Sequence, residues 1–562
     1  MCFFSFSQNV EHRNSGFSKP MNLPFNLAGS FGEPRPDHFH SGIDIKTNGV
    51  EGEPVFAVGD GYISRIRVSP YGYGRAIYIT HTNGFTSVYG HLSRFNSAIE
   101  KYIHEQHYLQ KKSELDLNFD ANIFPVKQND TIAFSGNTGG SSAPHLHFEI
   151  RDSKTEHALN PLDFYPRNFY VDTIAPQINK VKVSIFSKGY FYSAFRKNYY
   201  NLPIKGQLNF SEPDYAIDYN NYYCFSLEGY DKQDHSENKN GIKKIEVFQK
   251  DSIVFKYDLT EIDFDKTRMC NAFVDYNEMM NDSGYFYNCY QLRNNSLPIY
   301  MPKNNGFFSN EKTDSVAIYN IYCYDYNNNR TNIKLEIPKG NSITDYNFMN
   351  RQKDSISVSN RFKDKSDSIF LSDLKIRFSE NTFYDDVYLT LTKRFVKNSV
   401  PIYNINAEFN KIPFQKSASI EFKSSIKKDR NKIVIVRQNN KGKETALKTT
   451  FDKKNFYAET KELGSFYLKY DTTKPTIEIL NLNAEITNKN KFIQAKISDN
   501  LSGINTYNGY IDDKWVNFYY DAKNDLIQYN IDEYCTKGEH ILKIIVNDKV
   551  ENKTIIQQKF NY

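Results

Sequence analysis

Hydrophobic and polar positions alternate with a period of two through most of this chain. In FAVGDGYISRIRVS (56–69) the alternation runs around a Gly-Asp-Gly turn. In RAIYITHTNGFTSVYGHLSRF (75–95) it flanks Asn83-Gly84, which predicts a hairpin. HLHFEIR (145–151) sets Leu146, Phe148 and Ile150 against His145, His147 and Glu149, so one face enters a core and the other forms a polar floor. VKQNDTIAFSGNTGG (126–140) reads as strand and turn. The stretch 96–112, NSAIEKYIHEQHYLQKK, differs: its apolar or aromatic positions Ile99, Tyr102, Ile103 and Tyr108 fall at helical spacing. The prediction is a mainly β protein with one helical insertion.

Beyond residue 170 the pattern is short strands with polar turns, and it repeats. DTIAPQI (172–178) recurs as DTTKPTI (471–477), each ahead of an alternating strand. NKNGIKKIEVF (238–248) and CYDYNNNR (323–330) follow the first copy, and DNLSGI (499–504) and VNDKVENK (546–553) follow the second. These resemble the turns of bacterial immunoglobulin-like modules and place sandwiches at 172–340 and 471–562. The stretch 341–470 is strand-like too, ends on LGSFYLKYD (463–471), and is assigned as a further β-sandwich. Residues 1–26 form a lead-in, and 27–166 form an N-terminal antiparallel-sheet domain.

A chain of 562 residues is too long for one compact domain. Its net charge of +5 is spread along that length and gives no reason to expect nucleic acid as a partner. No run reaches the roughly 18 apolar residues of a membrane-spanning helix. The start, MCFFSFSQ, carries an apolar patch without a basic flank, an incomplete match to an export signal. The six cysteines lack C-x-x-C spacing, so they are buried small hydrophobes or form one or two disulfides in an oxidising compartment.

Histidine is distributed unevenly. Ten of the twelve histidines precede residue 158, which locates any metal or acid–base chemistry in the N-terminal domain. His145 and His147 are two apart on a strand and so share a face. Upstream, HFHSGIDI supplies His40 and Asp44, and the isoleucines flanking Asp44 point away from it into the core. In isolation, His40 and Asp44 would be explained by a hydrogen-bonded turn. Together with the pair on the strand they offer two nitrogen ligands, one oxygen ligand and a spare histidine, a set that suits a catalytic zinc with one open position. His91 in YGHLS can approach the same face. His81 reads as structural or groove-lining, His38 as a rim residue, and Asn137 as a groove-lining candidate. HEQH (104–107) misses the H-E-x-x-H spacing by one and reads as the solvated face of the helix.

The segments FGEPRPDHFHSGIDIKT, GDGYISRI, ITHTNGFTSVYGHLS and SGNTGGSSAPHLHFEIRD, in this order, resemble the lysostaphin-like (LytM-type) zinc metalloendopeptidases over residues 27–165. The resemblance implies that His40, Asp44 and His147 are ligands of one Zn2+ and that His145 and His91 are catalytic. It implies an antiparallel sheet with a narrow groove, peptidoglycan as the substrate, and a location in the cell envelope, periplasmic or exported. Where the family usually has a lysine or glycine pair, this chain has Lys127-Gln128-Asn129-Asp130, and Asn can occupy the same left-handed turn position. The insertion at 96–123 is placed to roof the groove. The sandwiches carry no chemical constellation and are candidates to bind the wall or envelope proteins. The rival expectation is a non-enzymatic wall-binding regulator or scaffold.

Overall fold

The computed structural model describes residues 15–187, 196–201, 221–301, 304–309, 316–337, 357–358, 366–385, 387, 389–396, 400–407, 411–482 and 491–562. MCFFSFSQ, with Cys2, lies outside these residues, as does much of the start of the expected 341–470 sandwich.

In the N-terminal region the alternating segments become β1 (Leu27–Gly29), β2 (Ile43–Lys46), β3 (Pro54–Phe56), β4 (Gly61–Val68), β5 (Arg75–His81), β6 (Phe85–Gly90), β7 (Arg94–Phe95), helix α1 (Ser97–Gln110), β8 (Leu115–Asn118), β9 (Pro125–Val126), β10 (Thr131–Phe134), β11 (His145–Asp152) and β12 (Ala158–Leu159). The main antiparallel sheet runs β1-β2-β11-β6-β5-β4-β8, with β12 added beside β11 and β9 beside β4. A small sheet, β3-β10-β7, packs with it. Ile43 and Ile45 of β2 join Leu146, Phe148 and Ile150 of β11 in the core, so the odd-numbered β11 residues are left on the opposite face. Asn129 takes the left-handed conformation expected of it, at φ 70°.

Helix α1 begins at Asn96, whose side chain accepts from the Ile99 amide, and ends at Lys111 in the left-handed conformation. Its buried stripe is Ile99, Ile103 and His107, one residue per turn. The expectation that HEQH forms a solvated face therefore fails at His107, which lies in line with two isoleucines. Its Nδ1 donates to the Lys112 carbonyl, and burial lowers its pKa to about 4, so the ring packs as a neutral group. The insertion also makes contacts far along the chain. Tyr108 stacks on Tyr534 at 3.8 Å and meets Trp515 edge-on at 5.4 Å, so the helix docks against the C-terminal module.

The rest of the described chain forms three pairs of antiparallel sheets. Gln177–Ser187 and Asn221–Tyr230 lie in a sheet accompanied by one that holds Lys244–Gln249 and Ala317–Tyr324. Leu389–Val396 and Gly464–Tyr470 lie in a sheet accompanied by one that holds Leu374–Phe378 and Ala418–Lys423. Thr476–Ile479 and Phe492–Ser498 lie in a sheet accompanied by one that holds Ile504–Ile511 and Glu539–Asp548. The five cysteines of the described residues, Cys224, Cys270, Cys289, Cys323 and Cys535, are buried and free. Among the described residues no helix is long and apolar enough to cross a membrane.

The sequence does not show how the N-terminal region meets the pair of sheets after it. One continuous hydrophobic core runs through both. The main sheet also crosses over: Ala158 pairs with Ile262 and Leu159 with Glu261. The loop after strand Asn221–Tyr230 grips β1, with Gln233 bonded to both the Leu27 amide and the Phe25 carbonyl. The His40 loop is held likewise: the Phe39 amide donates to Thr267 Oγ1, and the Phe39 ring packs edge-on against Phe273 at 5.3 Å.

This packing predicts long-range damage. Phe273→Ala leaves a cavity worth about 3–5 kcal/mol behind the His40 loop. The midpoint of denaturant unfolding should fall, and metal retained after dialysis should fall with it, although Phe273 touches no candidate ligand.

Candidate metal centre

Register creates the site. β11 lies between β2 and β6, and His147 faces Asp44 on one side and Gly90 on the other. Directly opposed residues share a sheet face, so Asp44 and His147 meet there without help from a loop. His145 stands two residues back on the same face, opposite Lys46. His91 follows the last residue of β6 and takes a left-handed φ of 60°, a strained conformation for a residue with a side chain. His40 arrives from the loop before β2. That loop passes tightly over β11 at Gly42, where a Cβ would stand 2.3 Å from the Phe148 carbonyl oxygen.

The donor atoms converge. His40 Nε2 lies 3.0 Å from Asp44 Oδ1 and 3.1 Å from His147 Nδ1, and His147 Nδ1 lies 2.9 Å from the same Asp44 oxygen. The outer nitrogens fix the tautomers. His40 Nδ1 is 2.7 Å from the Ser30 carbonyl, which only accepts, so Nδ1 carries the proton. His147 Nε2 is 2.8 Å from Glu149 Oε1 and carries its proton for the same reason. In neutral rings, His40 Nε2 and His147 Nδ1 then both aim lone pairs at one point beside a carboxylate. Two imidazole lone pairs 3.1 Å apart are incompatible without a positive charge between them, and the chemistry of the set fits a metal ion. His40, Asp44 and His147 can hold one.

The electrostatics agree. Asp44 is disfavoured as an anion by burial, but the His40 charge, the nearby His145 ring and the polar contacts to His147 and His40 outweigh this and hold it well below the usual carboxylate range. Burial also opposes a charged His147, yet its bonds to Asp44 and Glu149 raise it to about 9. The metal-free pocket therefore keeps a proton where a cation would sit. Glu149 is fully buried, and Arg151 with the His147 and Ser41 hydrogen bonds overcomes the burial and lowers its pKa. Arg151 Nε donates to Glu149 Oε2 at 2.7 Å, and Tyr73 and Ser41 donate to Oε1.

Two further histidines flank the cluster, their rings 4.8 Å apart. His145 Nδ1 donates to the Ala143 carbonyl at 2.8 Å, which leaves its Nε2 as an acceptor 3.3 Å from Asp44 Oδ1. That Nε2 is buried and makes no hydrogen bond. His91 Nδ1 donates to the Thr138 carbonyl at 2.8 Å, and burial, then the His147 and His145 charges, lower its pKa to about 3. Thr138 is held because Gly139, at φ 70°, lies against Gly74, where a Cβ on Gly139 would come within 2.4 Å of the Gly74 amide.

Five sequence candidates thus come together: His40, Asp44, His147, His145 and His91. Three do not. His81 lies at the far end of β5, bonded to Ser87 Oγ and the Asp60 carbonyl. His38 is exposed and pairs with Asp37. Asn137 lies on the loop beside His91, where its carbonyl and that of Ser141 accept from Lys523 of the C-terminal module. A cleft of about 630 Å³ between this loop and that module is lined by Arg75, Thr138, Tyr519 and Lys523 and by none of the five clustered residues. Sequence reasoning missed Tyr73, Ser41, Arg151 and Arg35, whose guanidinium lies 3.8 Å from Asp44 Oδ2. Ser41 and Arg151 adjoin recognised motifs, while Tyr73 lies in a glycine-rich turn that signals nothing.

Comparison with known proteins bears on the same region. The family model for peptidase family M23 matches residues 38–112, and that for the Zu5-like domain matches residues 359–471. The chain is similar to an uncharacterized metalloprotease of Haemophilus influenzae, 31% identical over 157 residues that are 28% of this chain and 26% of the relative. It is 35% identical over 112 residues to the DD-carboxypeptidase/endopeptidase Mpg of Neisseria meningitidis serogroup B, 20% of each chain. Among solved structures, the catalytic domain of lysostaphin from Staphylococcus simulans is 27% identical, covering 24% of this chain and 87% of that one at a TM-score of 0.18. The chain thus spans about a quarter or less of the length of these two curated relatives. From its motifs, its sheet and these relatives, the N-terminal part of the chain is a peptidase family M23 domain.

Proposed function

We propose that this domain is a zinc-dependent endopeptidase acting on the stem or crossbridge peptides of bacterial peptidoglycan. The observation that carries the reading is the convergence of two imidazole lone pairs and one carboxylate oxygen within 3.1 Å of one another, beside two histidines whose free nitrogens are acceptors. Two nitrogens and one oxygen suit zinc and leave room for a further ligand. The chain is also similar to three Vibrio cholerae proteins named peptidoglycan DD-endopeptidases, 27–33% identical over 18–26% of this chain, and this supports the substrate class.

Bound by His40, Asp44 and His147, zinc would supply Lewis acidity that polarises the scissile carbonyl and acidifies the attacking water. The chain supplies the proton handling. His145 Nε2 acts as the general base, its ring oriented by the Ala143 carbonyl that accepts from Nδ1. The imidazolium that forms then returns the proton to the leaving amine. His91, kept neutral by burial, orients the water with Nε2. Glu149 and Arg151 keep His147 in the ligand tautomer. The test is mass spectrometry of the fragments released when the zinc-loaded chain digests purified peptidoglycan. Defined peptide cuts are expected. Bound zinc with no release would turn the reading toward a wall-binding regulator.

Single substitutions separate the roles. His145→Ala should keep zinc and lose about 10²–10⁴ in turnover. His147→Ala should lose both, and zinc retained at full stoichiometry in that variant would remove His147 from the ligand set. Glu149→Gln, which keeps the shape and removes the charge, should weaken zinc binding by about 10–100-fold.

Metal affinity should also depend on pH in a set direction. The His147 pKa is raised to about 9 in the metal-free protein, so below that pH the ion must displace a proton. Affinity should rise by about tenfold per pH unit between roughly pH 6 and 8, with one proton released per ion. Calorimetric titration in buffers of different ionisation enthalpy reads both quantities, and a pH-independent affinity would contradict the proton assignment.

A further inference from the structure

Two clusters of acidic residues outside the histidine site repeat each other. Asp172, Asp231 and Asp325 each bring one carboxylate oxygen within 4.8 Å of the others, as do Asp471, Asp499 and Asp548. The duplication noted in the sequence places them at equivalent positions. Asp172 and Asp471 open the DT-x-x-P segments, Asp231 and Asp499 directly follow the strands Asn221–Tyr230 and Phe492–Ser498, and Asp325 and Asp548 precede the turns into the last strands. The scaffolding is copied as well. Asn329 Nδ2 donates to the Asp172 carbonyl and to Asp325 Oδ2, and Asn552 Nδ2 donates to the Asp471 carbonyl and to Asp548 Oδ2. Thr331 donates to the Pro176 carbonyl, and Thr554 to the Pro475 carbonyl.

Hydrogen bonding within each cluster is incomplete. Asp231 is 0% exposed, and neither of its carboxylate oxygens has a well-formed hydrogen bond. After burial, the strongest influences on it are the charges of Asp172 and Asp325, with only a weak opposing pull from the Lys232 amide. In the second cluster Asp471 is 2% exposed, and its Oδ1, with Asp499 Oδ1 and Ser502 Oγ, has no partner. Asp231 Oδ1 and Oδ2, Asp471 Oδ1 and Asp499 Oδ1 thus have no donor, although each lies among other carboxylates, an arrangement that a bound cation would stabilise. An all-oxygen set of three carboxylates selects a hard ion, in contrast to the imidazole-rich groove.

We propose that Asp172, Asp231 and Asp325 form one Ca2+ site and that Asp471, Asp499 and Asp548 form a second. Each site ties the segment that enters a module to the body of that module. At the first, Asp231 opens the loop whose Gln233, Ser236, Asn238 and Gly241 bond to residues of the 25–30 segment, including Ser30, and the Ser30 carbonyl holds His40. Calcium there braces the M23 domain against its neighbour at a distance from the groove.

Equilibrium dialysis of the full, zinc-loaded chain against radioactive Ca2+ tests this. At about 5 mM, above the roughly 10⁻⁴–10⁻³ M dissociation constants of extracellular calcium modules, two ions per chain are expected. Asp231→Asn and Asp499→Asn should each hold one ion and the double variant none, while zinc content stays at one. No calcium bound to the unaltered chain overturns the proposal without relying on any variant. Two ions retained in a single variant overturns that site. Far-UV circular dichroism and zinc content report whether the variants are folded.

Discussion

The histidine site depends on one buried carboxylate. Asp44 Oδ1 is within 3.3 Å of His40 Nε2, His147 Nδ1 and His145 Nε2. Three imidazoles can gather around a buried oxygen only if charge is balanced locally, because burial penalises every ion in the set. A proton balances it in the metal-free protein, and a divalent ion can replace that proton. The surroundings are arranged to keep either one in place: Glu149, neutralised by Arg151, fixes His147 from behind, and the Ser30 carbonyl fixes His40.

Much of this was legible because strand geometry turns sequence spacing into direction. The alternation of Leu146, Phe148 and Ile150 with His145, His147 and Glu149 fixed which side chains share a face, and Asp44 between two isoleucines carried the same signal. His91 was harder, since its orientation comes from a left-handed backbone and a carbonyl contact to Thr138. His107 shows where the pattern was misread. One residue per turn with Ile99 and Ile103 marks it as buried, whereas its place at the end of the polar His-Glu-Gln-His string points toward solvent. Tyr73 and Arg35 could not be found at all. They reach the site across the fold, and nothing local to them distinguishes a residue in the glycine turn, or one between two prolines, from its neighbours.

The boundary between modules was the least legible feature, for a physical reason. A composition shift marks where a linker runs, but not whether the surfaces on either side are wet or fused. Here they are fused. The core is continuous, β12 continues the sheet into Glu261–Ile262, and the loop at 233–241 hydrogen bonds to the edge strand β1. That loop covers an edge that would otherwise expose unpaired backbone groups. The M23 domain thus borrows part of its own edge from the next module, and the rigidity of His40 is partly a property of residues more than 200 positions away.

The C-terminal module closes the arrangement from the other side. Tyr108, Tyr534 and Trp515 form an aromatic contact with helix α1, Tyr108 donates to Asp532, and Lys523 caps the carbonyls of Asn137 and Ser141. Ser141 Oγ in turn donates to the Ala143 carbonyl, the same acceptor that orients His145. A displacement of the C-terminal module therefore acts on the loop that sets the direction of His145 Nε2, whereas a displacement of the neighbouring module acts on His40. Two modules thus hold the loops behind different histidines of one site. The helical insertion, which from sequence reads as a modifier of substrate access, is the mechanical link through which the more distant of the two is attached.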